Sequence, residues 1–283
     1  MGTKPVPGDL VAGGQTRKRG NHMRLVKVIA AAAIVFAAFT GAACAKDWKT
    51  IRIGTEGAYP PFNGLDPSGQ LVGFDIDIAK ALCEKMQATC TFQAQDWDGI
   101  IPALLAGKFD AIVASMSITD ERKKKVAFTN KYYQTPAAFV APKDSKIASW
   151  DAAGLKGKVI GAQSSTIHGN YLEGEIQPGG AEIKLYGTQD EANADLAAGR
   201  LDAVVADKTM LSEWLKKPEA SCCERKADVD VVKYAKYFGS GAGIAVRKED
   251  TDLVDKFNKA IAEILADGTY KKINDKYFPY SIY

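Results

Sequence analysis

The 283 residues of the chain are enough for two modest domains with substantial cores, and 46% of them are hydrophobic, as in an ordinary globular protein. The formal net charge of +3 comes from 37 basic and 34 acidic side chains. Residues 1–45 contain six of the basic side chains and one of the acidic ones. The remaining residues therefore carry 31 basic against 33 acidic side chains, a net charge of −2. This balance argues against a nucleic-acid-binding protein, which needs a basic surface.

The N-terminal region has the layout of a secretory signal peptide. Basic residues between Arg17 and Lys27 precede an apolar run at 28–39, and small residues follow it. We predict cleavage near Ala45 and a mature protein in the periplasm, with Met23 as the candidate for the true start. A retained membrane anchor and a lipid-modified Cys44 are the competing interpretations.

Export to an oxidising compartment favours disulfides among the four cysteines that follow the leader. Cys83 and Cys90 are seven residues apart across the end of a helix-like segment, and we expect a bridge between them. The adjacent residues Cys222 and Cys223 are compatible with a vicinal disulfide and equally with two free thiols. The sequence has two histidines and no Cys-x-x-Cys spacing, so we expect no metal and no cofactor.

From Thr50 onward, short apolar strands alternate with amphipathic helices, as in α/β proteins with parallel sheets. The first series predicts strands at 50–56, 89–95 and 109–115 and helices at 73–86 and 96–107. Asp98 is the expected N-cap of the second helix, and Gly107 is expected just past its end. After Lys156 the series restarts with strands at 158–163, 182–188 and 201–207 and helices at 165–174 and 189–200. One more strand and two helices complete the chain.

The two series repeat one another. The segment AGKFDAIVAS at 106–115 returns as AGRLDAVVAD at 198–207, with six identities in ten positions. We therefore predict two similarly folded α/β lobes, lobe 1 at 46–135 and lobe 2 at 136–232, with a return to lobe 1 at 233–283. The extended segments at 134–142 and about 232–240 are the expected crossings, where hinges typically lie.

Polar and aromatic side chains follow the ends of the predicted strands, where ligands bind in open α/β sheets. They are Glu56, Tyr59, Trp97, Ser115, Ser117 and Arg122 in the first lobe and Gln163, Ser164, Ser165, Thr166 and Asp207 in the second. No nucleophile–base pair can be assembled from them, so we expect a binding protein and not an enzyme.

These side chains together suit a zwitterionic ligand. Arg122 can bind a carboxylate through two parallel hydrogen bonds, and Asp207 can bind an α-ammonium, although a helix N-cap is its plain structural role. The hydroxyls of Ser117 and Thr166 are expected to add donors. Tyr59 and Trp97 offer flat faces to an aliphatic stem or a distal cation.

Charge balance favours a basic amino acid as the ligand. Glu56 and Asp207 against Arg122 leave the site at −1, which matches a ligand with two positive groups and one negative group. An acidic amino acid would place a like charge beside Glu56 at a cost of roughly 3–5 kcal/mol in a closed cleft. That cost corresponds to about two to three decades of affinity.

Three segments carry a family resemblance: GFDIDIAKALCEKM, DWDGIIPALLAGKFDAIVASMSITDERKKKVAFT and GAGIAVRKEDTDL. The chain resembles the polar-amino-acid solute-binding proteins of ABC importers, in particular the lysine/arginine/ornithine- and histidine-binding group and its opine-binding relatives. The resemblance covers residues 48–283. It implies a type II periplasmic binding fold, with two lobes joined by two strands, that closes on an amino acid ligand and then docks to a membrane ABC permease. A monomer is the family expectation.

By position, the resemblance implies that Arg122 binds the α-carboxylate and Asp207 the α-ammonium. It also implies that Ser115, Ser117 and Thr166 hydrogen-bond the ligand, that Tyr59 and Trp97 flank its side chain, and that Cys83–Cys90 is the family's disulfide.

The chain departs from the lysine/arginine/ornithine pattern at four positions. Glu56 stands where that group has Asp, Trp97 where it has Phe, Ala114 where it has Ser, and Ile167 where it has Gln. The longer acid and the broader stacking face favour the guanidinium of arginine, with lysine, ornithine and histidine as further candidates. An opine such as octopine or nopaline is the alternative ligand. A secreted cyclohexadienyl dehydratase on the same fold, with Glu56 as acid or base, is the alternative function.

Overall fold

The computed structural model describes residues 13–14 and 46–283. The predicted signal peptide at 1–45, with Met23 and Cys44, therefore lies outside the described residues apart from two glycines. Residues Asp47–Tyr283 form one compact unit. Within the described part of the chain, no helix has the length and apolar character that crossing a membrane requires.

Strands and helices alternate along this unit. The strands are β1 (Thr50–Thr55), β2 (Gly64–Leu65), β3 (Leu71–Val72), β4 (Thr89–Ala94), β5 (Ala111–Ile112), β6 (Ala127–Tyr133), β7 (Ala137–Pro142), β8 (Val159–Gln163), β9 (Glu182–Tyr186), β10 (Ala203–Asp207), β11 (Cys223–Asp228) and β12 (Ala242–Val246). The α-helices are α1 (Phe74–Lys85), α2 (Trp97–Leu105), α3 (Asp120–Lys123), α4 (Ile167–Tyr171), α5 (Gln189–Ala197), α6 (Lys208–Trp214), α7 (Ala235–Phe238), α8 (Thr251–Ala266) and α9 (Thr269–Tyr277).

Two five-stranded sheets form the cores of two lobes. The first has the order β4-β1-β5-β12-β6, and the second has the order β11-β7-β10-β8-β9. In the first sheet β1 runs parallel to β4 and β5, and in the second β8 runs parallel to β9 and β10. The antiparallel strands are β12 in the first sheet and β7 in the second. The predicted two-lobed α/β architecture is confirmed.

The helices cover the faces of the sheets through their apolar sides. In α1 the residues Phe74, Ile78 and Leu82 are fully buried, and they share a core with Phe257 and Ile261 of α8. This packing explains why the C-terminal helices lie on the first lobe, since an amphipathic helix is stable only where its apolar side is covered.

The chain crosses between the lobes twice. It leaves the first sheet after Tyr133, enters the second at Ala137, and rejoins the first at Ala242. Helix α7, which the predicted boundary assigns to the return to lobe 1, packs with the second lobe, because Phe238 contacts the rings of His168 and Tyr171. The second crossing therefore packs against the second lobe before the chain rejoins the first sheet.

The repeated decapeptides occupy matching places in the two sheets. In each copy a glycine with positive φ, 74° at Gly107 and 72° at Gly199, ends a helix before a central strand. The strand predicted at 109–115 is shorter than expected, because only Ala111–Ile112 pair and Ser115 has a φ of 54°. The first copy therefore turns away at its tip, whereas the second runs directly into α6.

The predicted N-cap of α2 is wrong by two residues. The helix begins at Trp97 after Asp96, and Asp98 lies in its first turn. The carboxylate of Asp98 instead accepts a hydrogen bond from Ser164 at 2.8 Å, on the other lobe. Asp98 therefore bonds to a residue distant in sequence and does not cap its own helix.

Both cysteine pairs are bridged. Cys83 at the end of α1 is joined to Cys90 of β4, with 6.1 Å between the Cα atoms, as predicted. Cys222 and Cys223 form a vicinal disulfide at the start of β11. Of the two states that the sequence left open for this pair, a vicinal disulfide and two free thiols, the structure has the disulfide.

Candidate functional site

A cavity of about 280 Å³ lies between the lobes, where β1, β5, β8 and β10 end. Nine of the eleven residues that the sequence places at strand ends line it: Glu56, Tyr59, Trp97, Ser115, Ser117, Arg122, Gln163, Thr166 and Asp207. Of the other two, Ser164 and Ser165, the second lies in the wall of a neighbouring cavity that shares Trp97 with this one. Its backbone, not its hydroxyl, serves the site, as described below.

Arg122 is held in place by its own helix and by both lobes. Thr119 caps α3 by accepting a hydrogen bond from the Arg122 amide, which fixes Arg122 in the first turn. Its guanidinium donates to the carbonyl oxygens of Ser117 at 3.0 Å and Ser165 at 3.2 Å and lies 5.2 Å from the ring of Trp97.

No carboxylate of the described residues forms an ion pair with Arg122. Burial lowers its pKa to about 10, so the side chain remains a cation at neutral pH. A half-buried cation without a counter-ion loses part of its hydration, and an anion that joins it offsets this cost. This end of the cavity is therefore suited to a carboxylate.

Asp207 ends β10 and also caps α6. Its Oδ1 accepts hydrogen bonds from the amides of Thr209 at 2.8 Å and Met210 at 3.2 Å, and its Oδ2 accepts one from the hydroxyl of Thr135. Burial raises its pKa to about 6. The structural role and the cavity-facing role are thus combined in one side chain.

Glu56 adds a second carboxylate to the cavity wall. Its Oε1 accepts a hydrogen bond from the Gln163 amide at 2.5 Å, and Gln163 also donates to the carbonyl oxygen of Gly187. Burial raises the pKa of Glu56 to about 7, against the effect of the Gln163 hydrogen bond, and the nearby carboxylates of Asp190 and Asp96 raise it further. A cation placed beside Glu56 would reverse this shift.

Two aromatic rings line the same cavity. Tyr59 and Trp97 are 9% and 8% exposed and both face the cavity. The Trp97 indole donates to the carbonyl oxygen of Ser165 at 3.1 Å, and the Tyr59 ring stacks on Phe62 with 6.0 Å between the ring centres. These contacts therefore fix the orientation of both rings when the lobes are closed.

The predicted hydroxyl donors need a correction. Thr166 caps α4 by accepting a hydrogen bond from the Gly169 amide at 3.0 Å, and it donates its hydroxyl hydrogen to the carbonyl oxygen of Gln163 at 2.7 Å. Ser115 donates its hydroxyl hydrogen to Asp75 at 2.9 Å. Both hydroxyls can then only accept hydrogen bonds from a ligand. Within residues 46–283, no hydrogen bond engages the Ser117 hydroxyl, which keeps its donor for the cavity.

Four side chains of the first lobe reach three consecutive residues of the second. Trp97 and Arg122 donate to the carbonyl oxygen of Ser165, Asp98 accepts from Ser164, and Glu56 accepts from Gln163. Ser165 has a φ of 55°, in the left-handed region. The lobes are therefore closed against each other along this segment.

Further lining residues come from the crossings and were missed by sequence reasoning that considered strand ends alone. They are Tyr133, Gln134 and Thr135 from the first crossing, Val231, Val232, Ala235 and Phe238 from the second, and His168 of α4. Burial lowers the pKa of His168 to about 3, so its ring is neutral. The position of His168, two residues after a predicted site residue, was the available signal.

Comparison with known proteins agrees with this geometry. The bacterial extracellular solute-binding proteins, family 3, match residues 51–280. The L-arginine-binding protein of Pseudomonas aeruginosa is 49% identical over 235 residues, which cover 83% of this chain and 90% of that protein. The lysine/arginine/ornithine-binding periplasmic protein of Escherichia coli is 41% identical over 236 residues, with the same two coverages.

A solved structure extends the comparison to the fold. An ancestral arginine-binding protein bound to arginine matches with a TM-score of 0.75 and 38% identity, over 81% of this chain and 98% of that one. The resemblance to amino acid solute-binding proteins is confirmed, and these relatives are named as binding proteins, not as enzymes. The chain belongs to the bacterial extracellular solute-binding proteins, family 3.

Proposed function

We propose that this protein binds arginine in the periplasm and delivers it to a membrane ABC permease. The observation that carries the proposal is the charge pattern of one closed cavity. One cavity is lined by Arg122, which is half-buried and has no ion pair with a carboxylate of residues 46–283, and by two buried acids, Asp207 on the second lobe and Glu56 on the first. The names of its relatives support the same ligand class.

The head group of an amino acid fits the Arg122 end. The α-carboxylate would pair with the guanidinium of Arg122 and accept from the free hydroxyl of Ser117. The α-ammonium would lie against Asp207, whose carboxylate is already oriented by α6. Each charged group of the ligand then pairs with a charged side chain of the cavity and compensates for the hydration that this side chain loses in the closed protein.

The side chain of arginine fits the rest of the cavity. Its aliphatic stem would pass between Tyr59 and Trp97, and its guanidinium would reach Glu56, whose second carboxylate oxygen has no hydrogen bond from another described residue. Planar guanidinium groups stack on aromatic rings and bind carboxylates through two parallel hydrogen bonds, which an ammonium does not. Arginine is therefore preferred over lysine and ornithine.

Binding would be coupled to closure of the lobes. The α-carboxylate contacts the first lobe through Arg122 and the α-ammonium contacts the second through Asp207, so the ligand stabilises the closed arrangement more than the open one. The closed form would then be what the permease recognises. No covalent step is involved, and the ligand leaves the protein unchanged.

Calorimetric titration of the purified mature protein tests the proposal. Arginine should bind tightest among arginine, lysine, ornithine, histidine, octopine and glutamate, and it should be recovered chemically unchanged. Glutamate binding as tight as that of arginine would contradict the charge argument. Tighter binding of octopine than of arginine would assign the cavity to an opine instead.

A further inference from the structure

The carboxylate of Asp75 lies behind the cavity wall and joins three parts of the first lobe. It is fully buried in the first turn of α1 and does not line the cavity. Its Oδ1 accepts a hydrogen bond from the hydroxyl of Tyr132 at 2.7 Å. Its Oδ2 accepts one from the amide of Asn63 at 2.8 Å and one from the hydroxyl of Ser115 at 2.9 Å.

Asp75 has donors around it but no counter-ion. Within residues 46–283 no Lys, Arg or His pairs with it, and burial raises its pKa while the hydroxyl of Tyr132, the amide of Asn63 and the hydroxyl of Ser115 oppose that shift. Its place at the N-terminus of a twelve-residue helix also favours a negative charge. The lobe thus holds an acid that the proposed binding mode does not use.

Asp75 determines what Ser115 presents to the cavity. A serine hydroxyl has one hydrogen to donate and two lone pairs with which to accept. The hydrogen of Ser115 goes to Asp75, so the hydroxyl oxygen can only accept from a ligand. The amide of Ser115 donates to the Tyr132 oxygen at 3.0 Å, which helps to hold the left-handed backbone at this position.

We propose that Asp75 is a positioning residue that makes Ser115 an acceptor for the α-ammonium of the ligand and thereby selects ligands with a free α-amino group. The inference rests on the proposed function, in which Asp207 receives the same ammonium. Ser115 comes from the first lobe and Asp207 from the second. The ammonium would then be shared between the lobes and would link ligand selectivity to closure.

Two ligands and three variants test this role. L-arginine carries the α-amino group, and 5-guanidinopentanoic acid lacks it while keeping the carboxylate and the guanidinium. In Asp75→Asn the side chain keeps one acceptor oxygen and gains an NH₂ group, while Asn63, Ser115 and Tyr132 still present donors to it. Ser115 therefore no longer has a fixed acceptor for its hydrogen. The dissociation constant of arginine should rise about tenfold to a hundredfold, and that of 5-guanidinopentanoic acid by less than about threefold.

Asp77→Asn serves as the control variant, and Ser115→Ala removes the hydroxyl through which Asp75 is proposed to act. Asp77 lies in the same turn of α1 but accepts from Lys276 and Tyr277, away from the cavity, so its variant should bind both ligands within about twofold of the parent. Ser115→Ala should reproduce the selective loss of arginine. The double variant at 75 and 115 should lose little more than Ser115→Ala alone, because both changes remove one interaction.

The inference would be wrong if Asp75→Asn weakened the binding of both ligands equally, or if the losses multiplied in the double variant. Asp75 would then have only a structural role, and the proposed function of arginine binding would still stand. Failure of the parent protein to bind arginine would instead overturn the proposed function, and this inference with it. The two failures are therefore distinguishable.

A second measurement covers the case in which Asp75→Asn does not fold, as judged by circular dichroism. The analogue 2-oxo-5-guanidinopentanoic acid places an acceptor where arginine has its ammonium, so an acceptor-only Ser115 opposes it. Ser115→Ala should bind this analogue at least about threefold more tightly than the parent. Unchanged or weaker binding would show that Ser115 is free to donate, against the inference.

Discussion

The guanidinium of Arg122 and the indole of Trp97 lie 5.2 Å apart on the first lobe and donate hydrogen bonds to the same carbonyl oxygen, that of Ser165 on the second lobe. The carbonyl is turned toward them because Ser165 has a left-handed backbone. One backbone group thus orients both the proposed carboxylate-binding cation and the proposed stacking ring.

Arg122→Ala should abolish tight binding of every amino acid, since the α-carboxylate is common to all of them. Removing one member of a buried charge pair costs about 3–5 kcal/mol, or about two to three decades of affinity. Arg122→Lys keeps the charge but loses the planar fork and should cost about one decade. Calorimetry checks both values, with Lys125→Ala, an exposed neighbour, as the control. Retained affinity in Arg122→Ala would remove this residue from the site.

Arginine binding should weaken as the pH falls below about 7. With the lobes closed, burial raises the pKa of Glu56 to about 7, so a proton must leave before a guanidinium can pair with the carboxylate. The affinity should fall by up to about tenfold per pH unit, and Asp207, with a pKa of about 6, should add to the fall at lower pH. Titrations in buffers of different ionisation enthalpy measure the proton release.

Glu56→Gln provides the matched test of that assignment. The variant should lose most of the proton release near pH 7 and bind arginine about a hundredfold more weakly, while a neutral amino acid changes by less than about threefold. Equal losses for neutral and cationic ligands would contradict the role of Glu56 as the reader of the ligand side chain.

The same carboxylate should limit the stability of the ligand-free protein at high pH. The folded-state pKa of Glu56, about 7, lies above its ordinary value of 4.5, so the folded state binds the proton more tightly than the unfolded state. Stability therefore falls as the pH rises from 4.5 through about 7. Glu56→Gln should gain up to about 2–3 kcal/mol over the parent at pH 8 and little at pH 4. Urea denaturation without ligand checks the difference, and an equal effect at both pH values would refute it.

The two disulfides should differ in their effect on stability. Cys83 and Cys90 close a loop across a separation of seven residues, and Cys83→Ala with Cys90→Ala should cost about 2–3 kcal/mol of unfolding free energy. The vicinal pair closes no loop, so Cys222→Ala with Cys223→Ala should cost less than about 1 kcal/mol beyond the loss of packing at buried Cys223. A reversed order in thermal unfolding would contradict the loop-closure argument.

Ser164→Ala tests the contact between Asp98 and Ser164 as a stabiliser of the closed lobes. The hydroxyl donates to a carboxylate but is exposed, so we expect arginine affinity to fall only about threefold to tenfold. The change should appear as a faster dissociation rate, because the contact exists only after closure. An unchanged rate, with Ser149→Ala as the exposed-serine control, would show that the contact adds nothing to closure.

The elements of this fold could be predicted from sequence because their signals are local. Apolar runs mark β1 and β10, a helical stripe marks α1, and glycines with positive φ end the two repeated helices. Most of the candidate site followed from the same signals, since the ends of parallel strands meet at one edge of a sheet. Nine predicted residues accordingly line a single cavity.

Hydrogen-bond partners that are distant in sequence were beyond these signals. Asp98 reads as an N-cap because local spacing permits it, yet its partner is Ser164, 66 residues away. Phe238 and Val231 enter the cavity wall through a crossing whose path depends on how the lobes meet. No periodicity in the sequence encodes such contacts.

The sequence by itself determined the two lobes, their repeat, the first disulfide and the charges of the site, because these depend on residue type and short-range spacing. Only the tertiary structure decided which hydroxyl donates and which accepts. Thr166 was predicted as a donor and Ser115 only as a hydrogen-bonding residue, but the carbonyl of Gln163 takes the hydrogen of Thr166 and Asp75 takes that of Ser115. The polarity of a hydroxyl is set by its partner in space, and that partner is fixed only when the chain has folded.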